Sequence, residues 1–201
     1  MPQLSLTDFV DIVSASGLPK ATKVRHVKRR PPYNPAADFY KPIREGIIEI
    51  HKSNLEKNYI DTVVASLLDD KKKTAYPPII QGYKKWYGRK SMSWYSPPNV
   101  IYSKHGVDVF INPELGLEID GIPHLIKLYF KAEPLAKNRI DIITHLMSIT
   151  EAELCPSPSN TVMSVLDIRR SKLFSPTVPI DGLTGILNAE LSYIASLWPS
   201  L

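Results

Sequence analysis

The sequence predicts an α+β protein with a mixed, mostly antiparallel central sheet flanked by helices. Three observations support this prediction. Apolar residues recur at helical spacing in the first third and near the end of the 201-residue chain. After Pro97-Pro98, apolar and polar residues alternate with the period of a β-strand. Asp120-Gly121 is a dipeptide typical of a tight turn between two paired strands.

The N-terminal part of the chain is predicted to be a short helix followed by an irregular arm. Residues 4–15 have helical periodicity, and Gly17 with Pro19 is a helix stop signal. Residues 18–36 are basic and contain three closely spaced prolines, which exclude a regular helix around them: Pro31, Pro32 and Pro35. We therefore divide the chain into an N-terminal helix and basic, proline-rich arm at 1–36 and a single core domain at 37–201.

The core domain is predicted to begin with a long helix. Apolar residues follow Asp38 at helical spacing and continue to residue 67, with a break near Ser53-Asn54. Tyr76-Pro77-Pro78 is expected to start an irregular stretch, followed by a short basic segment at 81–90.

The second half of the chain is predicted to supply the sheet. Alternating residues predict strands at 99–103, 107–112, 115–119 and 124–131, which form an antiparallel meander interrupted by Pro113. A helix at 135–147, a strand at 161–168 and a helix at 180–197 complete the predicted order.

Composition excludes several classes of protein. Cys155 is the single cysteine, so a disulfide framework and a multi-thiolate zinc site are excluded, and a reducing, cytoplasmic location is expected. No apolar run is long enough to span a membrane, and no signal peptide is visible. The formal charge of +5 points to an anionic partner.

The positive charge is concentrated in two blocks. Residues 20–30 contain six basic residues and no acid, and residues 71–110 contain eight basic residues and one acid. Tyrosines and tryptophans are interleaved with the second block, and cations with flat rings suit a nucleic-acid strand. The candidate DNA- or RNA-binding residues are Lys20, Lys23, Arg25, Lys28, Arg29, Arg30, Lys84, Lys85, Arg89 and Lys90. The other interpretation is a solvated surface whose rings pack into the fold.

A candidate catalytic motif lies on the predicted meander. Pro113-Glu114 precedes one strand, and Leu125-Ile126-Lys127 lies on the next. This pattern resembles the PD-(D/E)XK nuclease superfamily, which implies a restriction-endonuclease-like core, Mg²⁺ held by carboxylates and a lysine that supports the attacking water. Leu125 occupies the place of the central acid, so the resemblance implies a degenerate motif.

Other acids are candidates to replace the missing carboxylate. Glu118 is expected to face Lys127 across the hairpin, and Glu45 or Glu49 is expected to add a carboxylate from the preceding helix. The candidate catalytic residues are thus Lys127 and Glu118, and the candidate metal ligands are Glu114, Glu118, Glu45 and Glu49. The alternative interpretation of Glu118 and Lys127 is a cross-strand salt bridge on a solvated face.

These observations favour a nucleic-acid-associated protein with a nuclease-like core. Mg²⁺-dependent phosphodiester hydrolysis is the reaction expected of an intact site, and Leu125 favours an inactive one. The alternative is a non-catalytic protein-interaction or accessory protein whose arm docks on a partner through residues 30–35. The two functions differ in the salt dependence of binding to DNA or RNA.

Overall fold

The structure, a computed structural model, describes residues 1–65, 67–154, 158, 160–178 and 180–201, with the side chains of residues 151–154 outside that description. It confirms the α+β class: helices flank two mixed sheets in which most pairings are antiparallel. Cys155 and most of the loop around it lie outside the described residues.

The N-terminal residues form more regular structure than the sequence predicted. Strand β1 (Gln3–Ser5) leads directly into helix α1 (Leu6–Val13), and helix α2 (Gly17–Lys28) follows. The prediction of an irregular arm is therefore wrong for the residues that form α2. Pro19 falls in the first turn of that helix, where proline is tolerated, and the other three prolines come only after Arg30.

Four more α-helices follow α2 and precede the main strands: α3 (Lys41–Lys52), α4 (Ile60–Ala65), α5 (Asp70–Ala75) and α6 (Pro77–Tyr87). The predicted break near Ser53-Asn54 is confirmed, because α3 ends at Lys52 and Asn54 has a φ of 51°. The prediction of an irregular stretch after Tyr76 is wrong, because α6 begins at Pro77. Pro77 and Pro78 occupy the first turn of α6, where a missing N–H removes no hydrogen bond.

The remaining elements are β2 (Met92–Tyr95), β3 (Val100–Lys104), β4 (Val107–Ile111), β5 (Leu115–Ile119), β6 (Ile122–Tyr129), α7 (Lys137–Leu154), β7 (Val162–Asp167), β8 (Lys172–Phe174) and α8 (Leu183–Leu197). Asp120 and Gly121 both have positive φ and form the predicted turn between β5 and β6. Strands β1, β2 and β8 are short, and the sequence did not predict them.

The predicted single meander is divided between two sheets. One sheet has the order β1-β4-β3, and the other has the order β2-β5-β6-β7-β8. Strands β4 and β5 do not pair, because Pro113 lies between them and the chain passes from one sheet to the other. The pairs β1–β4 and β6–β7 are parallel, and the others are antiparallel.

The five-stranded sheet separates two apolar clusters, which we call the first core and the second core. The first core joins one sheet face to α1, α2, α7, α8 and the three-stranded sheet, and the second core joins the other face to α3, α4 and α6. Leu4, Phe9 and Val24 belong to the first core. The segment 1–36 therefore packs into the same body as the rest of the chain.

Within the described residues, no helix combines the length and the apolar composition needed to cross a membrane.

Candidate functional site

A cleft opens on the side of the first core, beneath the proline-containing segment that joins α2 to α3. We call it the arm cleft. It encloses about 500 Å³, and a wider lobe continues from it towards the start of β5. Its walls come from residues 30–40, from the start of α1 and from the end of β6. Three chain segments that are distant in sequence thus meet around one concave surface.

Lys127 and Glu114 form a buried ion pair on the wall of the arm cleft. The Lys127 Nζ lies 2.6 Å from Oε1 of Glu114, and it also donates to the carbonyl oxygen of Asn112 at 2.9 Å. The other carboxylate oxygen of Glu114 accepts the Leu128 amide at 2.8 Å. Lys127 is only 7% exposed. The carboxylate therefore holds the ammonium group in one position, and both of its oxygens are already bound.

Arg44 extends this charged wall from α3. An Arg44 Nη2 donates to Oδ2 of Asp38 at 2.8 Å, and the Tyr33 hydroxyl donates to the same oxygen at 3.0 Å. Burial lowers the pKa of Arg44, but the hydrogen bond and charge of Asp38, with the charge of Glu114, raise it overall. Arg44 is therefore cationic at any physiological pH and lies within the electrostatic reach of both carboxylates.

Asp38 remains ionised for a related reason. Burial raises the pKa of this carboxyl, but the hydrogen bond and charge of Arg44, with hydrogen bonds from Tyr33 and the Tyr40 amide, lower it overall. The network of Tyr33, Asp38 and Arg44 fixes the end of the proline-containing segment against α3.

Arg30 fixes the opposite end of the same segment. Its two terminal nitrogens donate to the two oxygens of Asp8, at 3.1 and 2.7 Å. This bidentate geometry is the strongest form of an arginine–carboxylate pair. The segment between Arg30 and Arg44 is thus tied at both ends to the walls of the arm cleft.

A further pair of cations lies where the cleft meets α7. Lys131 and Arg139 both bind Asp11 of α1, with Lys131 at 2.9 Å from Oδ2. Burial raises the pKa of Asp11, but the hydrogen bonds and charges of Arg139 and Lys131 lower it overall. Lys131 and Arg139 line the cleft, whereas Asp11 does not.

The predicted acid cluster does not assemble. The expectation that Glu118 faces Lys127 is wrong, because the register places Pro123 opposite Glu118. Glu118 lies four residues along the strand from Glu114, or about 13 Å at roughly 3.3 Å per residue. It is exposed, so the predicted cross-strand salt bridge with Lys127 is wrong as well.

Glu45 and Glu49 lie on a different face of α3 from the one that lines the cleft. Glu45 has a side chain that is 60% exposed and pairs with Lys41 at 3.5 Å, and Glu49 accepts a hydrogen bond from Ser53. Arg44 and Ile48 line the cleft instead. The helix that was expected to add a carboxylate thus presents a guanidinium group.

The four predicted ligands do not fit a Mg²⁺ site. Mg²⁺ needs open carboxylate oxygens on one side of the ion. Of the predicted ligands, only Glu114 lines the cleft, and both of its oxygens are bound by protein groups. Leu125 is buried in the first core. Among the described residues, no group of three or more histidine, cysteine, aspartate or glutamate side chains is arranged to hold a metal ion.

The first basic block leads into the arm cleft. Three of its residues are bound within the chain: Lys20 to Glu190, Lys28 to the Trp198 carbonyl oxygen, and Arg30 to Asp8. Lys23, Arg25 and Arg29 have no side-chain hydrogen bond or ion pair to any described residue. Arg25 and Arg29 are exposed on α2, immediately before Arg30 enters the cleft.

The four candidate residues of the second basic block, at 84–90, lie on the opposite side of the five-stranded sheet, whereas Lys104 of the same block is on β3. Lys84 pairs with Asp61 at 2.5 Å, and Lys90 donates to the Trp86 carbonyl oxygen, whereas Lys85 and Arg89 are exposed. Three of the interleaved rings are buried in the second core and are closed to stacking with bases: Tyr76, Tyr83 and Trp86. The two basic blocks do not form one surface.

The residues that the sequence did not single out for the cleft are Tyr33, Asp38, Arg44, Lys131 and Arg139. One signal was available for Arg44. It shares a helical stripe with Ile48 and Lys52, which is distinct from the stripe of Ile43, Ile47 and Ile50. No signal linked Lys131 or Arg139 to the site, because their meeting with Asp11 depends on how α1 packs against α7.

Comparison of this chain with protein-family models, curated proteins and solved structures finds no match. The resemblance to the PD-(D/E)XK superfamily therefore rests on the residues quoted above and stays a prediction.

Proposed function

We propose that this protein is nucleic-acid-associated and binds the phosphate backbone of DNA or RNA in the arm cleft. One observation carries the proposal. The wall of the cleft has five cationic side chains against three carboxylates, and Asp11 outside the lining pairs with two of the cations, so the net excess is one positive charge: Arg30, Arg44, Lys127, Lys131 and Arg139 against Asp8, Asp38, Glu114 and Asp11. A concave surface with an excess of cations concentrates anionic ligands.

The first basic block supports the same proposal. Arg25 and Arg29 extend a line of positive charge from the surface of α2 to Arg30 at the cleft. Each phosphate that they neutralise releases a counterion, which favours binding at low salt. Lys85 and Arg89, on the other side of the sheet, are outside this proposed path.

We propose that binding occurs without Mg²⁺-dependent hydrolysis. The residues that the nuclease resemblance assigns to the metal do not converge, and Glu114 is bound to Lys127 and the Leu128 amide. In this proposal Glu114 positions Lys127, whose charge faces the cleft. Cleavage of DNA or RNA in Mg²⁺ or Mn²⁺ by the purified protein, lost in Lys127→Ala, would contradict this part of the proposal and favour a nuclease.

The binding itself is tested by titrating a labelled nucleic acid at salt concentrations between about 50 and 200 mM. We expect the logarithm of the affinity to fall linearly with the logarithm of the salt concentration. Arg44→Gln should weaken binding and reduce the slope by about one, because one phosphate contact is lost. Lys85→Gln is the matched control, since it removes an exposed cation outside the cleft, and it should leave the slope unchanged.

Two results would overturn the proposal. One is the absence of binding to any single-stranded or duplex DNA or RNA at the lowest salt concentration. The other is an equal loss of affinity in Arg44→Gln and Lys85→Gln, which would mean that the arm cleft is not the binding site. Circular dichroism of each variant confirms that the fold is intact.

The second candidate is a protein-interaction function of the proline-containing segment. Pro31, Pro32 and Pro35 are exposed, which favours docking of a partner on that segment. A protein that binds no nucleic acid and loses a partner when Pro31 and Pro32 are replaced by alanine would support this candidate. From the sequence we also retain the expectation of a cytoplasmic location.

A further inference from the structure

Tyr33 is an exposed aromatic residue at the mouth of a charged cleft. Its side chain is 67% exposed, and it lines both lobes of the arm cleft. Among the described residues, no other aromatic ring stacks on it. An exposed ring beside cations offers a flat apolar face next to positive charge.

The ring of Tyr33 is held in place at one end. Its hydroxyl donates to Oδ2 of Asp38, the same oxygen that accepts Arg44 Nη2. The two neighbouring residues on its N-terminal side, Pro31 and Pro32, stiffen the backbone. The ring therefore stays next to a guanidinium group while most of its surface remains open to solvent.

This juxtaposition of a flat ring and a cation matches the two halves of a nucleotide. A base stacks on an aromatic face, and the phosphate binds an arginine or lysine. Bases inside a duplex are already stacked on each other, so only an unpaired base is available to a protein ring. The arm cleft encloses about 500 Å³, within the roughly 300–1,000 Å³ range of sites that bind small ligands.

We infer that the arm cleft binds single-stranded nucleic acid, with one unpaired base stacked on Tyr33 and the adjacent phosphate held by Arg44. This inference rests on the proposed function and narrows its ligand from nucleic acid in general to a single strand. The stacking favours any base, because every base has a π-face.

The test measures fluorescence anisotropy with three labelled ligands of equal length: a single-stranded oligonucleotide, its duplex, and a strand in which every base is replaced by an abasic site. The variants are Tyr33→Leu, which removes the ring, and Tyr33→Phe, which keeps the ring and removes the hydroxyl. Tyr59→Leu is the control, because Tyr59 is an exposed tyrosine that lies outside the cleft.

We expect Tyr33→Leu to weaken binding of the single strand about tenfold or more, whereas Tyr33→Phe and Tyr59→Leu stay within about threefold of the unchanged protein. The abasic strand should bind the unchanged protein and Tyr33→Leu equally, because it has no base to stack. The duplex should bind more weakly than the single strand.

Each contrary result has a separate meaning. If Tyr33→Leu binds the single strand as tightly as Tyr59→Leu does, or if the duplex binds as tightly as the single strand, the inference is wrong and the proposed function stands. If the unchanged protein binds none of the three ligands at low salt, the proposed function itself is wrong.

Discussion

The two sides of the five-stranded sheet differ in the polar groups that they contain and in how far these groups are exposed to solvent. Along β6, Leu125, Lys127 and Tyr129 point to the side of the first core, and Ile126 and Leu128 point to the second core. The first side contains the arm cleft, and its charged residues are paired near solvent. The second side is a close-packed apolar layer under α3 and α6.

The second side contains two buried imidazoles, His51 and His124, and no charged network of comparable extent among the described residues. His51 Nε2 lies 3.1 Å from the hydroxyl of Tyr83, and its ring stacks on Tyr87 with 5.7 Å between centroids. Burial lowers the pKa of His51 to about 4 and raises the pKa of Tyr83. Both groups are therefore neutral at physiological pH.

The contrast between the two sides indicates where a ligand site can form in this fold. A neutral pair such as His51 and Tyr83 is accommodated in a closed layer, whereas ionised groups need partners and access to water. Among the described residues, the first side provides both charged partners and access to water, because the arm cleft opens there beneath the proline-containing segment. Three substitutions and one change of pH should affect the two sides differently.

The largest loss of stability is expected from a substitution on the second side. A Cβ at Gly82 of α6 would lie 1.9 Å from the carbonyl oxygen of Ile168. Gly82→Ala should therefore push the helix away from the sheet and lower the free energy of unfolding by about 4 kcal/mol or more. Urea denaturation measures this loss.

Gly185→Ala is the control for Gly82→Ala. A Cβ at Gly185 in α8 meets no described atom within 4 Å. This variant should gain roughly 0.5–1 kcal/mol, because alanine favours a helix. Equal stability of the two variants would show that the second side is less closely packed than described.

The second-largest loss of stability is expected on the first side, at the ion pair of Lys127 and Glu114. Lys127→Met leaves the buried carboxylate of Glu114 without its cation and should lower the free energy of unfolding by about 3 kcal/mol. Adding Glu114→Gln removes the unpaired charge and still accepts the Leu128 amide, so more than half of the loss should return. A double variant as unstable as Lys127→Met would contradict the ion-pair account.

The largest part of the pH dependence of stability should come from His51 in the second core, whose pKa burial lowers to about 4, and burial also lowers the pKa of His124 and of His145. Unfolded His51 has a pKa of 6.5, and the folded value is about 4, so protonation favours the unfolded chain. The contribution of His51 is constant above pH 6.5 and is lost as the pH falls towards 4. We expect a loss of about 2 kcal/mol between about pH 7 and pH 5.

Thermal or urea unfolding at several pH values checks this expectation. His51→Gln should remove this component of the pH dependence. His105→Asn changes an exposed histidine and should keep the full dependence. If His105→Asn and His51→Gln give the same pH profile, the burial of His51 is not the cause.

The smallest loss of stability is expected at the N-terminal cap of α1, beside the arm cleft. The Ser5 hydroxyl accepts the Asp8 amide and caps α1, so Ser5→Ala should cost about 1 kcal/mol. Ser16 stands at the same position before α2 but makes no capping hydrogen bond. Ser16→Ala should therefore be within about 0.5 kcal/mol of the unchanged protein, and an equal loss in both would refute the capping account.

Local patterns predicted the elements that have a strong period. The break in the helix near Ser53-Asn54, the hairpin at Asp120-Gly121 and the α+β class are all confirmed. The prediction was wrong where proline was taken as a breaker, because Pro19 and Pro77 lie in first turns of helices. The same residue type stops a helix or starts one, and only its position along the helix decides which.

The candidate site was predicted in part. Lys127 and Glu114 were both named from the sequence, and they meet at 2.6 Å. Glu118 was misplaced because the strand register was unknown, and Glu45 and Glu49 were misplaced because the orientation of α3 was unknown. A shift of a few residues in register moves a side chain by more than the length of any hydrogen bond.

By itself, the sequence determined which segments are charged and where the helices and strands with a strong period lie, because side-chain periodicity and turn chemistry act over a few residues. It did not determine β1, β2, β8 or α2. Tertiary structure alone decided that Tyr33, Arg44 and Lys127 surround one cleft. It also decided that the basic residues at 84–90 lie on the other side of a sheet from the first basic block. Such contacts depend on how distant segments pack, and no local pattern encodes the distance between them.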